Sequence, residues 1–338
     1  MTSHSLLPSF PSNLPTAPIS VISSASLLSH SPFATSSLLS ACQTSGFFYL
    51  DLNDSIPGQA LISQSESLLS LAKKIFALPD HVKQGHHLEK GKSLFGYKAA
   101  GTVKTTDPSA RKDSTEFMNV AKDHVFGVTE PRSYPDEIWQ AKELFEQFMK
   151  GCHGLGLEVL RALARGLGLD DEETFVKSNS FDKPSGDHVR LTRKTAQQEE
   201  GALGLPSHTD FGSVTVLFNW LGGLQIEDRR EGMGGEWVWV RPLEGHAVIN
   251  LGDAMVKFTN GTLKSAKHRV VPAPGEQGKH DRYSVVYFVR PHNEALMKAS
   301  PAFENGGAVR AAGKFGEEEG KVYTAGEWMR QRAVQLGN

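Results

Sequence analysis

The sequence predicts a mostly β protein with flanking helices, an α+β fold, and two patterns carry this prediction. Between residues 205 and 289, short apolar and β-branched runs such as Val214–Phe218 alternate with clusters of turn residues. Short strands at this spacing are typical of β-sandwiches and barrels. Upstream of residue 180, apolar residues recur instead at helical spacing, which predicts helices that cover a sheet.

The helical pattern is clearest in two stretches of the N-terminal half. Leu68, Leu71 and Ile75 recur at helical spacing, and Pro79 ends that run. Pro135 suits the first turn of a longer helix that would brace the sheet. Helices are expected at residues 36–42, 64–77, 135–167 and 171–178. Strands are expected at residues 19–22, 46–50, 188–195, 211–218, 223–226, 235–240, 247–253 and 282–289.

Three residues in the β region form a candidate metal site. His208 and Asp210 are two residues apart, so on a strand both side chains point to one face. His268 lies far along the chain and would come from a neighbouring strand. A lone His-x-Asp pair is more often a surface histidine beside a turn aspartate. The surrounding strands favour a metal site, since two histidines and a carboxylate are the facial triad of non-haem Fe(II) oxygenases.

A series of short motifs follows the first histidine in a fixed order. The motifs are His208-Thr209-Asp210, Gly223-Leu224-Gln225, Gly235-Glu236-Trp237, Asn250-Leu251-Gly252-Asp253, Thr259-Asn260-Gly261, His268-Arg269-Val270 and Arg282-Tyr283-Ser284. With Gly46-Phe47-Phe48-Tyr49 and residues 112–117 upstream, the chain resembles the 2-oxoglutarate/Fe(II)-dependent dioxygenases of the isopenicillin N synthase-like family. It looks most similar to the fungal secondary-metabolite members, and the resemblance covers most of the chain.

The resemblance implies both the core fold and the cofactors. The core would be a double-stranded β-helix, a cupin-like jelly roll of two facing sheets. His208, Asp210 and His268 would hold Fe(II), and Arg282 with Ser284 would clamp the distal carboxylate of 2-oxoglutarate. A guanidinium binds a carboxylate through two hydrogen bonds, and a hydroxyl can add a third. With O2, such an enzyme oxidises its substrate and releases succinate and CO2.

The predicted strand at 188–195 presents Arg190, Thr192 and Lys194 on one face. The resembled family often has Asn in place of Thr192 and Tyr in place of Lys194, so this chain departs from the pattern at both positions. Lys194 is a candidate for contact with the cosubstrate carboxylate, and Arg190 with Lys194 for contact with an acidic substrate. The alternative is that one of these cations only pairs with an internal acid.

Several other residues have both a functional and a structural interpretation. Phe181, Leu205, Phe218 and Trp220 are candidate apolar walls of the substrate pocket, or ordinary core. Lys112, Asp113 and Glu116 resemble an acid/base group, but a solvated charge cluster or an internal ion pair is the favoured interpretation. Cys152 and His153 fall on the long helix and are expected to be buried residues rather than ligands.

Composition excludes several classes of partner. The 338 residues, of which 39% are hydrophobic and 22% charged, suit an ordinary globular protein. A formal net charge of −2 gives no general attraction to nucleic acid or anionic membranes. Two distant cysteines, Cys42 and Cys152, make neither a disulfide framework nor a four-ligand zinc site. We expect a small-molecule substrate, and no nucleic-acid, membrane or obligate protein partner.

The N-terminal stretch of about 40 residues is rich in Ser, Pro and Leu, and no Lys or Arg appears in the sequence before Lys73. This argues against a secretory or mitochondrial leader, so we expect a cytoplasmic protein whose loosely ordered N-terminal arm lies across the domain. The expected segments are residues 1–45 (arm), 46–180 (support helices), 181–295 (catalytic jelly roll) and 296–338 (C-terminal tail and helix).

The sequence is consistent with three candidate functions. The first is a 2-oxoglutarate-dependent oxygenase of a small molecule, such as a polyketide-derived aromatic, that hydroxylates a methyl group or triggers a ring rearrangement. The second is an Fe(II) oxidase of the same fold that does not use 2-oxoglutarate, because the Arg282 and Ser284 pair could bind another carboxylate. The third is a non-catalytic jelly-roll binding protein, which an intact His-Asp-His set disfavours.

Overall fold

The computed structural model describes residues 7–89, 93–102, 113–196, 204–229, 234–304 and 321–335. Its strands are β1 (Val21–Ser23), β2 (Phe47–Asp51), β3 (Gly96–Lys98), β4 (Thr115–Ala121), β5 (His188–Lys194), β6 (Leu205–His208), β7 (Val214–Asn219), β8 (Leu224–Asp228), β9 (Glu236–Trp239), β10 (His246–Leu251), β11 (His268–Val270) and β12 (Arg282–Val289). Its α-helices are α1 (Ser24–Leu28), α2 (Pro32–Thr44), α3 (Ile56–Ala77), α4 (Asp80–Gln84), α5 (Lys122–Val125), α6 (Asp136–Gln140), α7 (Lys142–Gly166), α8 (Asp253–Phe258) and α9 (Ala325–Gln335).

The strands form a large and a small sheet. The large sheet has the order β1-β2-β10-β7-β12-β5-β4-β3, and the small sheet has the order β6-β11-β8-β9. Strands β1 and β2 are parallel, and the other described pairs are antiparallel. Strands that precede residue 180 therefore extend the same sheet as the strands of the C-terminal half.

The large sheet is buried on both faces, and the two-residue period of its strands divides the core. In β12, Val285, Tyr287 and Val289 face the helices, whereas Val286 and Phe288 face the small sheet. Helices α3 and α7 pack against this sheet. Burying each such side chain contributes about 1.5–3 kcal/mol, and a one-residue slip would exchange the two faces, so the register is strongly specified. The mostly β prediction and the facing-sheet core are confirmed.

All four predicted helices differ in extent from the observed ones. Helix α2, predicted at 36–42, begins at Pro32 and ends at Thr44. Helix α3 begins at Ile56, ahead of the predicted Gln64, because the Ser55 hydroxyl caps it by accepting a hydrogen bond from the Gly58 N–H. The predicted helix at 135–167 is two helices, since Ala141 leaves the helical conformation with φ −98° and ψ 18°. The predicted helix at 171–178 reduces to the 3₁₀ turn Val176–Asn179.

The start of the N-terminal arm, described from residue 7 onward, lies beside the small sheet. The later part of the arm is not loosely ordered, because it forms β1, α1 and α2. Trp239 of β9 exchanges backbone hydrogen bonds with Pro15 and Ala17, and its ring contacts the ring of Phe10. Residues 1–6, and residues 305–320 and 336–338 of the C-terminal segment, lie outside the described residues. None of the helices within the described ranges combines the length and apolar character that a membrane crossing requires.

Candidate active site

The small sheet brings the two candidate histidines together. His208 ends β6 and stands directly opposite His268 of β11, and their ring centroids are 4.3 Å apart. Asp210 follows β6 at once, and its Oδ1 lies 3.8 Å from the Nε2 atom of each histidine. One candidate ligand atom from each of the three residues lies within 4.8 Å of the other two. The sequence-predicted triad therefore converges at one point.

Backbone carbonyls orient both imidazoles. Nδ1 of His208 lies 2.8 Å from the carbonyl oxygen of Pro206, and Nδ1 of His268 lies 3.3 Å from that of Ala266. A carbonyl oxygen only accepts hydrogen bonds, so each Nδ1 carries the proton. In a neutral imidazole protonated at Nδ1, Nε2 keeps the lone pair that binds a metal, and both Nε2 atoms face Asp210.

Two side chains of the large sheet hold the Asp210 carboxylate. Its Oδ2 accepts a hydrogen bond from Thr215 Oγ1 at 2.6 Å and another from Asn250 Nδ2 at 2.8 Å. Its Oδ1 is the oxygen that faces the two histidines. The carboxylate is thus arranged to give one oxygen to a metal. The sequence alone does not assign a role to Thr215 or Asn250, although Asn250 lies within the Asn-Leu-Gly-Asp motif.

The protonation states at neutral pH suit metal binding. Burial and the neighbouring His268 lower the pKa of His208 to about 4. Burial alone would raise the pKa of Asp210, but His268, His208 and the hydrogen bonds to its carboxylate outweigh burial and lower this pKa to about 2. His208 is therefore neutral and Asp210 ionised near pH 7, which are the forms that ligate.

The segment after Asp210 is fixed by contacts with the start of α8. The Thr209 hydroxyl donates to Asp253 Oδ2 at 2.8 Å, and the Asp253 N–H donates to the Asp210 carbonyl at 2.7 Å. A Cβ added at Gly252 would lie 2.2 Å from the Gly212 carbonyl oxygen, so the close approach of these two backbones requires glycine. This approach explains the glycine of the Asn-Leu-Gly-Asp motif.

Arg282 and Ser284 lie on β12, and both line the cavity that the triad faces. Nε of Arg282 donates to the Gly222 carbonyl at 2.7 Å, which fixes the guanidinium, and burial lowers the pKa of Arg282 to about 10. Gly223 has φ +110°, and a Cβ there would lie 3.2 Å from Cδ of Arg282. Such a Cβ would lie even closer, 2.7 Å, to the Val271 carbonyl oxygen, so glycine at this turn leaves room for that carbonyl and for the arginine side chain.

The three face-sharing residues of β5 also line this cavity. Lys194 stands directly opposite Arg282, and Thr192 stands opposite Ser284, in the antiparallel register of β5 and β12. Arg190 lies further along the strand. Burial and the nearby Arg282 lower the pKa of Lys194 to about 8. Lys194 and Arg282 thus form a pair of cations at one end of the cavity.

The cavity lies between the two sheets and encloses about 650 Å³, counted to its solvent-filled mouth. Of the four predicted pocket walls, Leu205 lines the cavity. Phe218 instead packs against Phe148 on the helix-covered face, because it shares a strand face with Val216.

The two remaining predicted walls also lie elsewhere. The ring of Phe181 contacts the rings of Phe126 and His153, with centroids 5.0 and 4.9 Å away. Trp220 donates from Nε1 to Glu66 Oε1 at 2.7 Å. Trp220 is buried and Phe181 is partly buried, and neither side chain lines the cavity.

The residues interpreted as structural are buried in polar networks or core. His153 lies between the Asp187 carboxylate and the Asn179 carbonyl, with 2.9 Å contacts to both, and Cys152 is buried. Asp113 pairs with the buried Lys98. Lys112 lies outside the described residues.

Glu116 belongs to a second buried ion-pair network. It accepts hydrogen bonds from Lys83 at 3.2 Å, Tyr97 at 2.6 Å and Arg193 at 2.6 Å. The internal ion-pair interpretation of Asp113 and Glu116 is therefore the one that matches the structure.

Two family models match the chain, and together they span both halves. The model described as the 2OG-Fe(II) oxygenase superfamily matches residues 186–291. The model described as the N-terminal region of non-haem dioxygenase in morphine synthesis matches residues 18–142. The first match contains the His-Asp-His set, Arg282 and Ser284.

Curated relatives from fungi carry the same description. A 2-oxoglutarate-dependent dioxygenase of Aspergillus fumigatus is 32% identical over 308 residues, which is 86% of this chain and 79% of the relative. The 2-oxoglutarate-dependent dioxygenase gloE of Glarea lozoyensis is 30% identical over 265 residues, covering 77% of this chain and 76% of gloE.

Solved structures share the fold along nearly the whole chain. A 2OG-Fe(II) oxygenase family protein from Caulobacter crescentus superposes with a TM-score of 0.76 at 26% identity, covering 95% of this chain and 100% of that protein. A full-length protein of Neurospora crassa, in complex with alpha-KG and thymine, gives a TM-score of 0.74 at 26% identity, covering 94% and 96%. With the relatives above, these matches show that the chain belongs to the 2-oxoglutarate-dependent, Fe(II)-dependent dioxygenases, oxidoreductases that use Fe(II), 2-oxoglutarate and O2.

Proposed function

We propose that His208, Asp210 and His268 hold the Fe(II) of this dioxygenase. The observation that carries this proposal is the convergence of two Nε2 atoms and one carboxylate oxygen within 4.8 Å at the wall of the cavity between the sheets. Neutral imidazoles with one carboxylate suit Fe(II), and three ligands on one side leave the other coordination positions open. The hydrogen bonds that orient each ligand add to the fit.

Arg282 and Ser284 are proposed to bind the distal carboxylate of 2-oxoglutarate. Both side chains line the same cavity as the triad, and hydrogen bonding to Gly222 holds the guanidinium in place. Lys194 adds a second positive charge beside Arg282. When Fe(II) and 2-oxoglutarate are bound, they supply an oxidation in which 2-oxoglutarate is converted to succinate and CO2.

The proposed substrate is a small aromatic of polyketide origin, and the proposed reaction is hydroxylation of a methyl group on its ring. The sequence relatives from Aspergillus and Glarea are fungal proteins. Structures of the Neurospora protein contain thymine or 5-formyluracil, which differ by oxidation of one ring methyl group. Leu217, Val286 and Phe288 give this cavity apolar walls beside the triad. A ring rearrangement of the substrate is the second candidate outcome.

The catalytic segment is proposed to span residues 181–295. Phe47 of β2 and Thr115 of β4 also line the cavity, so the segment at 46–180 contributes to the same site. We therefore propose one catalytic unit in which the N-terminal helices and strands complete the jelly roll.

The test is to incubate the Fe(II)-loaded protein with 2-oxoglutarate, O2 and a panel of methylated aromatic polyketides. Succinate formation and product mass are then followed together. The expected result is substrate-dependent succinate formation with a product heavier by one oxygen atom. Oxygen consumption without succinate would support an oxidase that does not use 2-oxoglutarate. Absence of any Fe(II)-dependent oxygen consumption would support a binding protein.

A further inference from the structure

A partly buried arginine stands on the triad side of the cavity, away from the cosubstrate clamp. Arg190 lines the cavity that also contains Asp210. It lies four residues along β5 from Lys194, or roughly 13 Å at the rise of a β-strand. The Lys194 and Arg282 pair therefore marks one end of the cavity, and Arg190 marks a region well separated from it.

The Arg190 side chain is held rigidly by its neighbours. Its Nε donates to Asn119 Oδ1 at 2.9 Å, and the Asn119 amide is fixed in turn by donating from Nδ2 to the Leu94 carbonyl at 2.6 Å. The Arg190 guanidinium lies 4.2 Å from the ring centroid of Phe117 and 5.1 Å from that of Phe288. An amide and two rings thus fix the plane of the guanidinium before any ligand binds.

The terminal nitrogens of this guanidinium are available to a ligand. Among the residues that the structure describes, Arg190 has no carboxylate within 4.0 Å and makes its side-chain hydrogen bond through Nε alone. A guanidinium in a protein interior is normally paired with an acid, because burying an isolated charge is costly. The acid that attracts Arg190 is Asp210, a proposed metal ligand, and it is not within ion-pair distance of the guanidinium. A second guanidinium, that of Arg290, lies 5.3 Å from the Phe288 ring and adds to the positive charge of this region.

The net charge of the cavity also favours an anionic substrate. The cationic side chains of the described cavity wall are Arg190, Lys194 and Arg282, and Asp210 is its carboxylate. The two negative charges of 2-oxoglutarate offset the two positive charges of Fe(II). The cavity therefore keeps an excess of positive charge when both are bound, and an anionic substrate would reduce that excess.

We infer that the substrate carries a carboxylate, which the Arg190 guanidinium binds through its two terminal nitrogens. This inference rests on the proposed function, since it assumes that Arg282 and Ser284 take the cosubstrate. A planar guanidinium matches a carboxylate through two parallel hydrogen bonds. Phe288 and Val286 line the same cavity and can contact an attached ring. The substrate class is accordingly an aromatic carboxylic acid.

The test uses anaerobic titration calorimetry of the full-length protein loaded with Fe(II). The Kd of 2-oxoglutarate is measured first. At saturating 2-oxoglutarate, the 2-, 3- and 4-methylbenzoates are then titrated beside the matching uncharged methylbenzamides. We expect at least one acid to bind about 10- to 100-fold more tightly than its amide, the range for a charged hydrogen-bonded contact. Equal affinities, or no measurable binding of any acid, would overturn the inference.

Variants test whether Arg190 causes the tighter binding of the acid than of its amide. Arg190→Met should remove the preference for the acid and leave the Kd of 2-oxoglutarate unchanged, whereas Arg190→Lys should keep part of the preference. The matched control is Arg269→Met, because Arg269 donates to Gln225 and lies 4.3 Å from the Trp237 ring but projects from the other face of β11. A preference that persists in Arg190→Met would overturn the inference.

The titrations distinguish failure of the proposed function from failure of the carboxylate inference. If 2-oxoglutarate does not bind the Fe(II)-loaded protein, the proposed function fails. If 2-oxoglutarate binds but the acids gain nothing over their amides, only the carboxylate inference fails. The wild-type comparison of acids with amides decides this inference even if Arg190→Met does not fold.

Discussion

Asn250 donates a hydrogen bond from Nδ2 to Oδ2 of Asp210 at 2.8 Å, across the gap between the large sheet and the end of β6. Thr215 donates to the same oxygen at 2.6 Å. The other oxygen of Asp210 is thereby turned towards His208 and His268. The large sheet thus controls the geometry of a site whose histidines belong to the small sheet.

Loss of these hydrogen bonds should weaken metal binding. Asn250→Ala or Thr215→Val removes one of the two hydrogen bonds that orient the carboxylate, and we expect Fe(II) affinity to fall about 10- to 100-fold, as is typical for residues that orient metal ligands. Anaerobic metal titration measures this change. Asn53→Ala, in an exposed turn with Asp51, is the control and should bind Fe(II) like the wild type. Unchanged affinity in both site variants would contradict a role for the large sheet.

Removal of either histidine should abolish turnover. His208→Ala or His268→Ala leaves two of the three proposed ligands, so we expect the bound iron to fall from about one ion per chain to near zero. Iron content after desalting and succinate formation are the two measurements. His280→Ala is the control, since His280 is exposed after the 3₁₀ turn at 275–279. Full activity in either site variant would show that the ligand assignment is wrong.

Arg282→Ala should chiefly raise the requirement for 2-oxoglutarate. The guanidinium is proposed to contact the cosubstrate and not the iron, so we expect the KM for 2-oxoglutarate to rise by a factor of about 10 to 100, the value of a charged hydrogen-bonded contact. Fe(II) content should stay at the wild-type level. Succinate formation at varied 2-oxoglutarate gives KM and kcat separately. A fall in kcat with unchanged KM would argue against the clamp.

The sequence predicted the residues of the candidate metal site, but not the residues that hold Asp210 in place. His208, Asp210 and His268 follow a spacing and motif order that identify them along the chain, and the structure brings them together. Thr215 and Asn250 lie on two different strands of the large sheet, and their contact with Asp210 depends on how the sheets face each other. A single sequence does not contain that relation.

The sheet register and the helix cap explain why some predicted pocket walls and one predicted helix start were wrong. Phe218 and Leu217 are both apolar neighbours in β7, and only the sheet register decides that Leu217 faces the cavity. The early start of α3 follows from the cap at Ser55, whereas the apolar spacing that predicted this helix begins later. Apolar periodicity therefore located the elements, and local hydrogen bonding set their ends.

Glu116 should matter for stability and not for iron binding. Glu116→Gln leaves the buried Lys83 ammonium and the Arg193 guanidinium without their shared carboxylate. We expect the free energy of unfolding to fall by about 3 kcal/mol, the lower end of the range for breaking a buried ion pair, because Arg193 keeps some contact with solvent.

Denaturant unfolding and Fe(II) titration together check this prediction. The matched control is Glu276→Gln, since Glu276 pairs with Lys279 at the surface and should show no measurable loss of stability. If Glu116→Gln unfolds like the wild type but loses turnover, the acid/base interpretation of Glu116 would replace the ion-pair interpretation.

Lys194 should make the binding of 2-oxoglutarate depend on pH. Burial and the charge of Arg282 lower the pKa of Lys194 to about 8, against a smaller opposing effect of Asp281. Below pH 8 the ammonium is charged and attracts the distal carboxylate, and above pH 8 the amine is neutral and this attraction is lost. The carboxylates of 2-oxoglutarate remain ionised throughout this range, and Arg282, with its pKa lowered to about 10, stays largely charged to pH 9.

The Kd of 2-oxoglutarate should therefore rise as the pH increases from 7 to 9. The rise should begin near the pKa of Lys194 in the enzyme without cosubstrate. Bound cosubstrate stabilises the ammonium and raises its pKa, so the loss of affinity continues above pH 8. Lys194→Met should bind 2-oxoglutarate more weakly at pH 7 and show a nearly flat profile, because no group of the clamp then titrates in this interval. Anaerobic calorimetry at several pH values measures both profiles. Parallel profiles for the wild type and Lys194→Met would assign the pH dependence to another group and leave Lys194 without a part in cosubstrate binding.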